Sequence, residues 1–105
     1  MKYSKYRAIP TFRDGIRFHS KKEADRYVQL KMLEKARQIS NLETQVAFNL
    51  YVKGIVIGKY IADFQYLEGG MFIIEDVKGM KGGTPLYRWK SKHFEAQYGI
   101  KIRET

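Results

Sequence analysis

Between Tyr60 and Lys78 the chain reads YIADFQYLEGGMFIIEDVK, two strand-like apolar runs parted by Gly69-Gly70, which supplies the positive φ angles of a tight reversal. A β-hairpin is predicted. Three polar residues, Asp63, Asp76 and Lys78, interrupt those runs. Strand alternation puts Asp76 and Lys78 on one face with Ile74 and Phe72, while Glu75 turns the other way with Ile73. Asp63 shares its face with Ile61 and Gln65, and closing the hairpin brings it beside Asp76. Glu75 reads as solvated or paired with a basic side chain.

The remaining pattern supplies the scaffold. Residues 1–12 are basic and aromatic and read as a lead-in strand or an arm. Asp14-Gly15, flanked by alternating apolar residues from Phe12 to Phe18, predicts a short hairpin. Ser20-Lys21-Lys22-Glu23 fits a capping box that opens a helix running to about Arg37, with Glu23 at the end of the stripe carrying Tyr27 and Leu30. A turn-like step at Ile39–Leu42 leads to a half-buried strand from Thr44 to Val52, and Lys53-Gly54 turns it into a second strand from Ile55 to Leu67. Gly58 marks a bend or bulge in that strand. After the central hairpin comes a basic, glycine-rich loop, Gly79–Gly83. Thr84-Pro85 then caps and starts a helix, Leu86 to Tyr98, which reads as largely buried and is closed by Gly99. A last strand is predicted from Ile100 to Arg103. The sum is a single α/β domain over residues 1–105, with two helices on a mixed, mainly antiparallel sheet of about five strands.

Composition narrows the chemistry. The 105 residues, with 6 Phe, 8 Tyr and 1 Trp, suffice for one core. No window approaches the ~20 apolar residues of a membrane span, and the start MKYSKYR has no apolar signal core, so a soluble cytoplasmic protein is expected. The lack of cysteine excludes disulfides, thiol nucleophiles and thiolate zinc sites. His19 and His93 read as a turn residue and a helix-face residue, so any metal is held by oxygen. A net charge of +9 favours a polyanionic partner, nucleic acid ahead of an anionic membrane.

Phosphodiester hydrolysis needs an oxygen-liganded metal and a cation that positions water and offsets developing charge. Asp63, Asp76 and Lys78 are residues of that kind, and Mg²⁺ requires only one or two carboxylates besides water and phosphate. Asp63, twelve residues, then Asp76-Val77-Lys78, with Glu23 near a helix start, resembles the PD-(D/E)xK nuclease superfamily. With SKKEADRY, IADF, EDVKG and YRWKSKHFEAQYG, the chain is also similar to a family of small phage and prophage proteins placed in that superfamily. The resemblance implies a restriction-endonuclease-like core and Mg²⁺- or Mn²⁺-dependent DNA cleavage leaving a 5′-phosphate and a 3′-hydroxyl. It also points to recombination intermediates such as Holliday junctions. It makes Asp63 the metal-bridging acid, Asp76 the second acid, Lys78 the lysine and Glu23 the helix acid. Ala62 stands where the motif has proline.

Plainer readings stand beside these. Asp76 and Lys78 could form a surface ion pair, and the capping box explains Glu23 fully. Gln45 is a candidate contact to water or metal, with a structural strand-edge amide as the alternative. Lys81, Arg88, Lys90 and Lys92 follow the motif and read as a patch that tracks DNA phosphates, or as a solvated basic face. Branched DNA cut by a homodimer is the expected setting. A non-catalytic DNA-binding module and a nuclease subunit active only with a partner remain the alternatives.

Overall fold

The computed structural model describes residues 10–79 and 83–105. The predicted lead-in over residues 1–9, Lys81 and most of the glycine-rich loop lie outside the described residues.

Each turn forms where its residues demand it. Asp14 and Gly15, at φ 51° and 76°, join β1 (Thr11–Arg13) to β2 (Ile16–Phe18). Lys53 and Gly54, at φ 50° and 78°, join β3 (Ser40–Val52) to β4 (Ile55–Glu68), and Gly69-Gly70 joins β4 to β5 (Met71–Asp76). Helix α1 (Lys21–Lys35) starts on the Ser20 hydroxyl, which accepts from the Glu23 N–H at 3.1 Å. Helix α2 (Pro85–Tyr98) starts on Thr84 with Pro85 at its first position, and left-handed Gly99 ends it. A short β6 (Arg103–Glu104) lies parallel to β5.

Several expectations need correcting. Among the described residues the sheet has four strands, in the order β3-β4-β5-β6, and β1-β2 forms a separate two-stranded ribbon. The last strand begins at Arg103, not Ile100. Helix α1 stops at Lys35 because Arg37 turns left-handed at φ 63°, with Gln38 N–H donating to Leu33 O and Arg37 N–H to Glu34 O. That is a helix-ending pair of bonds usually built on glycine. The step at Ile39–Leu42 is no turn, because β3 already starts at Ser40 and bulges around left-handed Asn41. The bulge anticipated at Gly58 is present, where the β3–β4 register slips between Leu50 and Tyr51.

Among the described residues the buried apolar side chains form two clusters. Phe18, Ala24, Tyr27, Leu30, Ile39, Phe64 and Tyr66 pack between α1 and the sheet. Leu50, Tyr60, Ala62, Ile74, Phe94 and Ile102 pack around α2. Contrary to the sequence reading, α2 is mostly exposed and Phe94 is its buried residue. Phe94 compensates by meeting three rings, those of Phe48, Tyr60 and Tyr98, at 4.9–5.0 Å. Among the described residues no helix is long and apolar enough to cross a membrane.

Glu75 joins α1 to the sheet. It is fully buried and takes a two-pronged ion pair from Arg26, at 2.7 and 3.0 Å, with further bonds from the Tyr66 hydroxyl at 2.5 Å and the Thr105 hydroxyl at 3.0 Å. Burial pushes its pKa up, but the Arg26 and Tyr66 bonds outweigh burial and hold it below the usual glutamate value. A depressed carboxyl contributes stability above its unfolded pKa and loses it as pH falls through the folded value. Arg26→Ala, which strands this carboxylate, should therefore lower unfolding stability at pH 7 by about 3–5 kcal/mol in urea titrations. The loss should shrink below pH 4, and adding Glu75→Gln should recover part of it.

Candidate metal and phosphodiester site

The carboxylates meet where the regular ladder ends. Pairing of β4 with β5 closes at Phe64 and Glu75. Beyond it the side chains of Asp63 and Asp76 replace backbone partners: Asp63 N–H donates to Asp76 Oδ1 at 3.2 Å, and Val77 N–H donates to Asp63 Oδ2 at 2.8 Å. This reciprocal clasp holds the two acids side by side. Across from Asp63, on β3, Gln45 is left-handed at φ 54° and the matched pairs pass from Thr44–Phe64 to Val46–Ala62. Tyr60 and Ala62, before Asp63, pack in the α2 cluster, whereas Phe64 and Tyr66, after it, pack in the α1 cluster. Asp63 thus sits at the boundary between the two cores.

Asp76 is 3% exposed and accepts a bond from the buried Tyr60 hydroxyl. Lys78 places its ammonium 3.9 Å from Asp76 Oδ2 and 3.1 Å above the centre of the Tyr87 ring. Backbone bonds hold Lys78 there, because Thr105 N–H donates to Asp76 O and Lys78 N–H donates to Thr105 O. Tyr87 is itself tied to Glu104 at 2.8 Å. Gly83, at φ 72°, lets the chain pass beside that ring, since a Cβ there would lie 2.6 Å from it.

Glu23 reaches the same place from α1. The Ser20 half of the capping box forms, but the Glu23 carboxylate points into the protein with Oε1 3.7 Å from His19 Nδ1 and Oε2 without a hydrogen-bond partner. Glu23, Asp63, Asp76, Lys78, Gln45 and Lys90 line one open cleft of about 500 Å³. The sequence brought those six to notice, and the fold brings them together. Gln45 spends its amide on the Arg17 carbonyl, donating at 2.8 Å. Arg88 and Lys92 are exposed on α2 outside the lining, and His93 contacts the Tyr51 carbonyl oxygen on β3. Glu75 turns away from the cleft and is paired rather than solvated.

Tyr60, Tyr87 and Lys59 also line the cleft, although the sequence did not single them out. Strict alternation puts Tyr60 and Asp63 on opposite faces, so no strand-period signal could have found their shared partner. Tyr87 could be found only by knowing where α2 lands.

Electrostatics set this cluster apart. Burial first, and the Glu23 charge second, push Asp63 up to about 6. Burial and the Asp63 charge push Asp76 up to about 7. Burial raises Glu23 despite His19, and burial together with Asp76 raises the Tyr60 phenol. Three acids therefore share a poorly solvated place, with the Lys78 ammonium 3.9 Å from Asp76 and the Lys59 and Lys90 side chains also lining the cleft.

A divalent metal can be tested against these donors. They are all oxygen, as Mg²⁺ or Mn²⁺ prefers, and Glu23 Oε2 is a buried acceptor lacking a partner. Among the described residues no cluster of three or more His, Cys, Asp or Glu side chains is gathered as a ready metal set. The fit is to a pair of aspartates completed by water and phosphate, with Glu23 behind them.

The raised carboxyls have a cost with a definite sign. Stability is fullest below the unfolded value near 3.8 and is lost as pH rises through about 7. Asp76→Asn keeps an acceptor for Asp63 N–H and removes the charge. The variant should exceed the parent in unfolding stability at pH 8 by on the order of 2–4 kcal/mol, with the gap closing toward pH 4. Metal-free thermal melts across that range measure it.

No curated protein and no solved structure matches the chain. A family model does match, over residues 3–104. The chain accordingly belongs to the family described as "Protein of unknown function (DUF1064)".

Proposed function

We propose that the protein is a metal-dependent endodeoxyribonuclease that hydrolyses DNA phosphodiester bonds, with a PD-(D/E)xK type of core. The observation that carries this reading is the Asp63–Asp76 clasp, two acids of raised pKa facing an open cleft with Lys78 beside them. A structural ion pair holds its carboxylate below the usual value, whereas burial leaves Asp63 and Asp76 raised despite Lys78.

Asp63 and Asp76 would hold one or two Mg²⁺ or Mn²⁺ ions, with Glu23 lining the same cleft as a further acid. Bound metal supplies charge neutralisation and lowers the pKa of an attacking water. Lys78, steadied by the Tyr87 ring, orients that water and offsets charge on the phosphorane-like transition state. Lys90 at the cleft, with Arg88 and Lys92 beyond it, attracts the flanking phosphates. So small a domain has little surface for reading bases, which favours branched DNA over a sequence-defined site. A symmetric dimer would supply one site per strand.

A non-catalytic DNA-binding module is the second reading. It is favoured by the way Lys78 is already engaged by Asp76 and Tyr87.

Cleavage of linear and four-way-junction DNA, side by side with Mg²⁺, Mn²⁺ or EDTA, separates the two. Metal-dependent cutting is expected, with Asp63→Asn and Lys78→Ala each reducing it at least about 100-fold while DNA binding survives. Absence of cutting on both substrates would sink the stand-alone catalytic reading.

Acidity gives a second check. Metal binding requires deprotonated carboxylates, so activity should fall as pH drops through about 7 and then about 6. Mn²⁺ should raise the melting temperature of the parent at pH 8 and leave Asp63→Asn or Asp76→Asn unmoved.

A further inference from the structure

The chain contains a single tryptophan, Trp89, and it belongs to neither core. It is 50% exposed on α2, and Leu86, one turn earlier and 61% exposed, lines the cleft. Trp89 has a tethered ring neighbour. Its ring lies 5.6 Å from that of His93, whose Nε2 is 2.8 Å from the Tyr51 carbonyl oxygen on β3. Leu86, Trp89 and His93 fall within about 60° on the helix, forming one stripe.

Cations flank that stripe. Lys90 lies between it and the inward stripe of Tyr87 and Phe94 and faces the cleft, while Lys92 and Arg88 are exposed on its other side. Arg88 is steadied by the Gly83 carbonyl at 3.4 Å. A half-exposed aromatic plate between cations suits single-stranded nucleic acid, where cations follow the phosphates and bases stack on rings. A duplex hides all its base faces except those at its two ends. A second copy of a chain carrying +9 would bring like charge to this rim, whereas nucleic acid brings the opposite charge.

We infer that Trp89, with Leu86 on its cleft side, is a stacking platform for unpaired DNA bases beside the Asp63–Asp76 cleft. The protein then engages DNA where a strand leaves the duplex. This rests on the nuclease reading for the placement of the scissile phosphate, but stacking itself needs no cleavage and can fail or hold separately.

The single tryptophan makes the test direct. The full chain in EDTA, where nothing is cut, is titrated with a single-stranded oligonucleotide, a splayed-arm fork, a blunt duplex of the same sequence and heparin. Binding is followed independently by anisotropy of labelled DNA, and for heparin by its displacement of that DNA. Single strand and fork should quench the Trp89 emission at saturation, while duplex and heparin leave it unchanged. Trp89→Ala should weaken fork binding about tenfold and duplex binding by less than about twofold, and Trp89→Phe should retain the fork preference. Equal quenching by duplex or heparin overturns the inference, as does a fork-to-duplex affinity ratio that Trp89→Ala leaves intact. A dimer of the DNA-free protein in sedimentation, lost in Trp89→Ala, would assign the surface to a second copy and overturn it too.

Discussion

The buried pair of Arg26 and Glu75 is the contact on which the rest of this structure depends. It ties a partly buried flank of α1 to the end of β5 through two charge-assisted bonds, in a place where Glu75 alone would be an expensive buried charge. Glu23 lies one helical turn before Arg26. Once Arg26 is bound to Glu75, the rotation of α1 leaves Glu23 facing the cleft, with Ala24, Tyr27 and Leu30 filling the core behind it. An interaction concerned with helix docking thereby aims a carboxylate at the candidate site.

Adjacent acids on one strand then meet opposite fates. Glu75 has an arginine and two hydroxyls and is held charged, while Asp76 has a tyrosine, a backbone amide and a lysine at 3.9 Å, and is pushed toward neutrality. Neither is placed by hydrophobicity, for both are buried. Their difference lies in what each is given as a partner, and the two sides of β5 are provisioned differently. A fold selected for stability alone would gain by neutralising the second cluster. Carboxyls of raised pKa beside an open cleft are what support the proposal of a cation and a phosphate there.

Helix α2 serves the other wall. Phe94 anchors it through ring contacts to Phe48, Tyr60 and Tyr98, and this frees most of its remaining surface from packing. Tyr87 supports Lys78 from that anchored helix, and Tyr60 joins the same aromatic cluster to Asp76. Packing and chemistry share residues, so disturbance of the α2 core should be felt at the carboxylates.

Local chemistry was legible in the chain. Asp14-Gly15, Lys53-Gly54 and Gly69-Gly70 carry their turns, Ser20, Thr84-Pro85 and Gly99 mark helix ends, and Asp63 with Asp76 and Lys78 stands out against apolar strands. Such signals act over a few residues, where φ preference and capping decide. The tertiary structure decided what depends on distant partners. A left-handed Arg37 ends α1 without a glycine, β1-β2 separates from the sheet, α2 is anchored by one buried ring, and Tyr60 and Tyr87 join the site. Alternation along a strand has no term for the irregularity opposite Asp63, and a helix period cannot say how far a helix is rotated about its axis. Sequence alone therefore determined which residues carry the candidate chemistry; long-range packing, led by the Arg26–Glu75 pair, decided that Glu23 faces them, because a buried charge accepts only the geometry in which its partner is found.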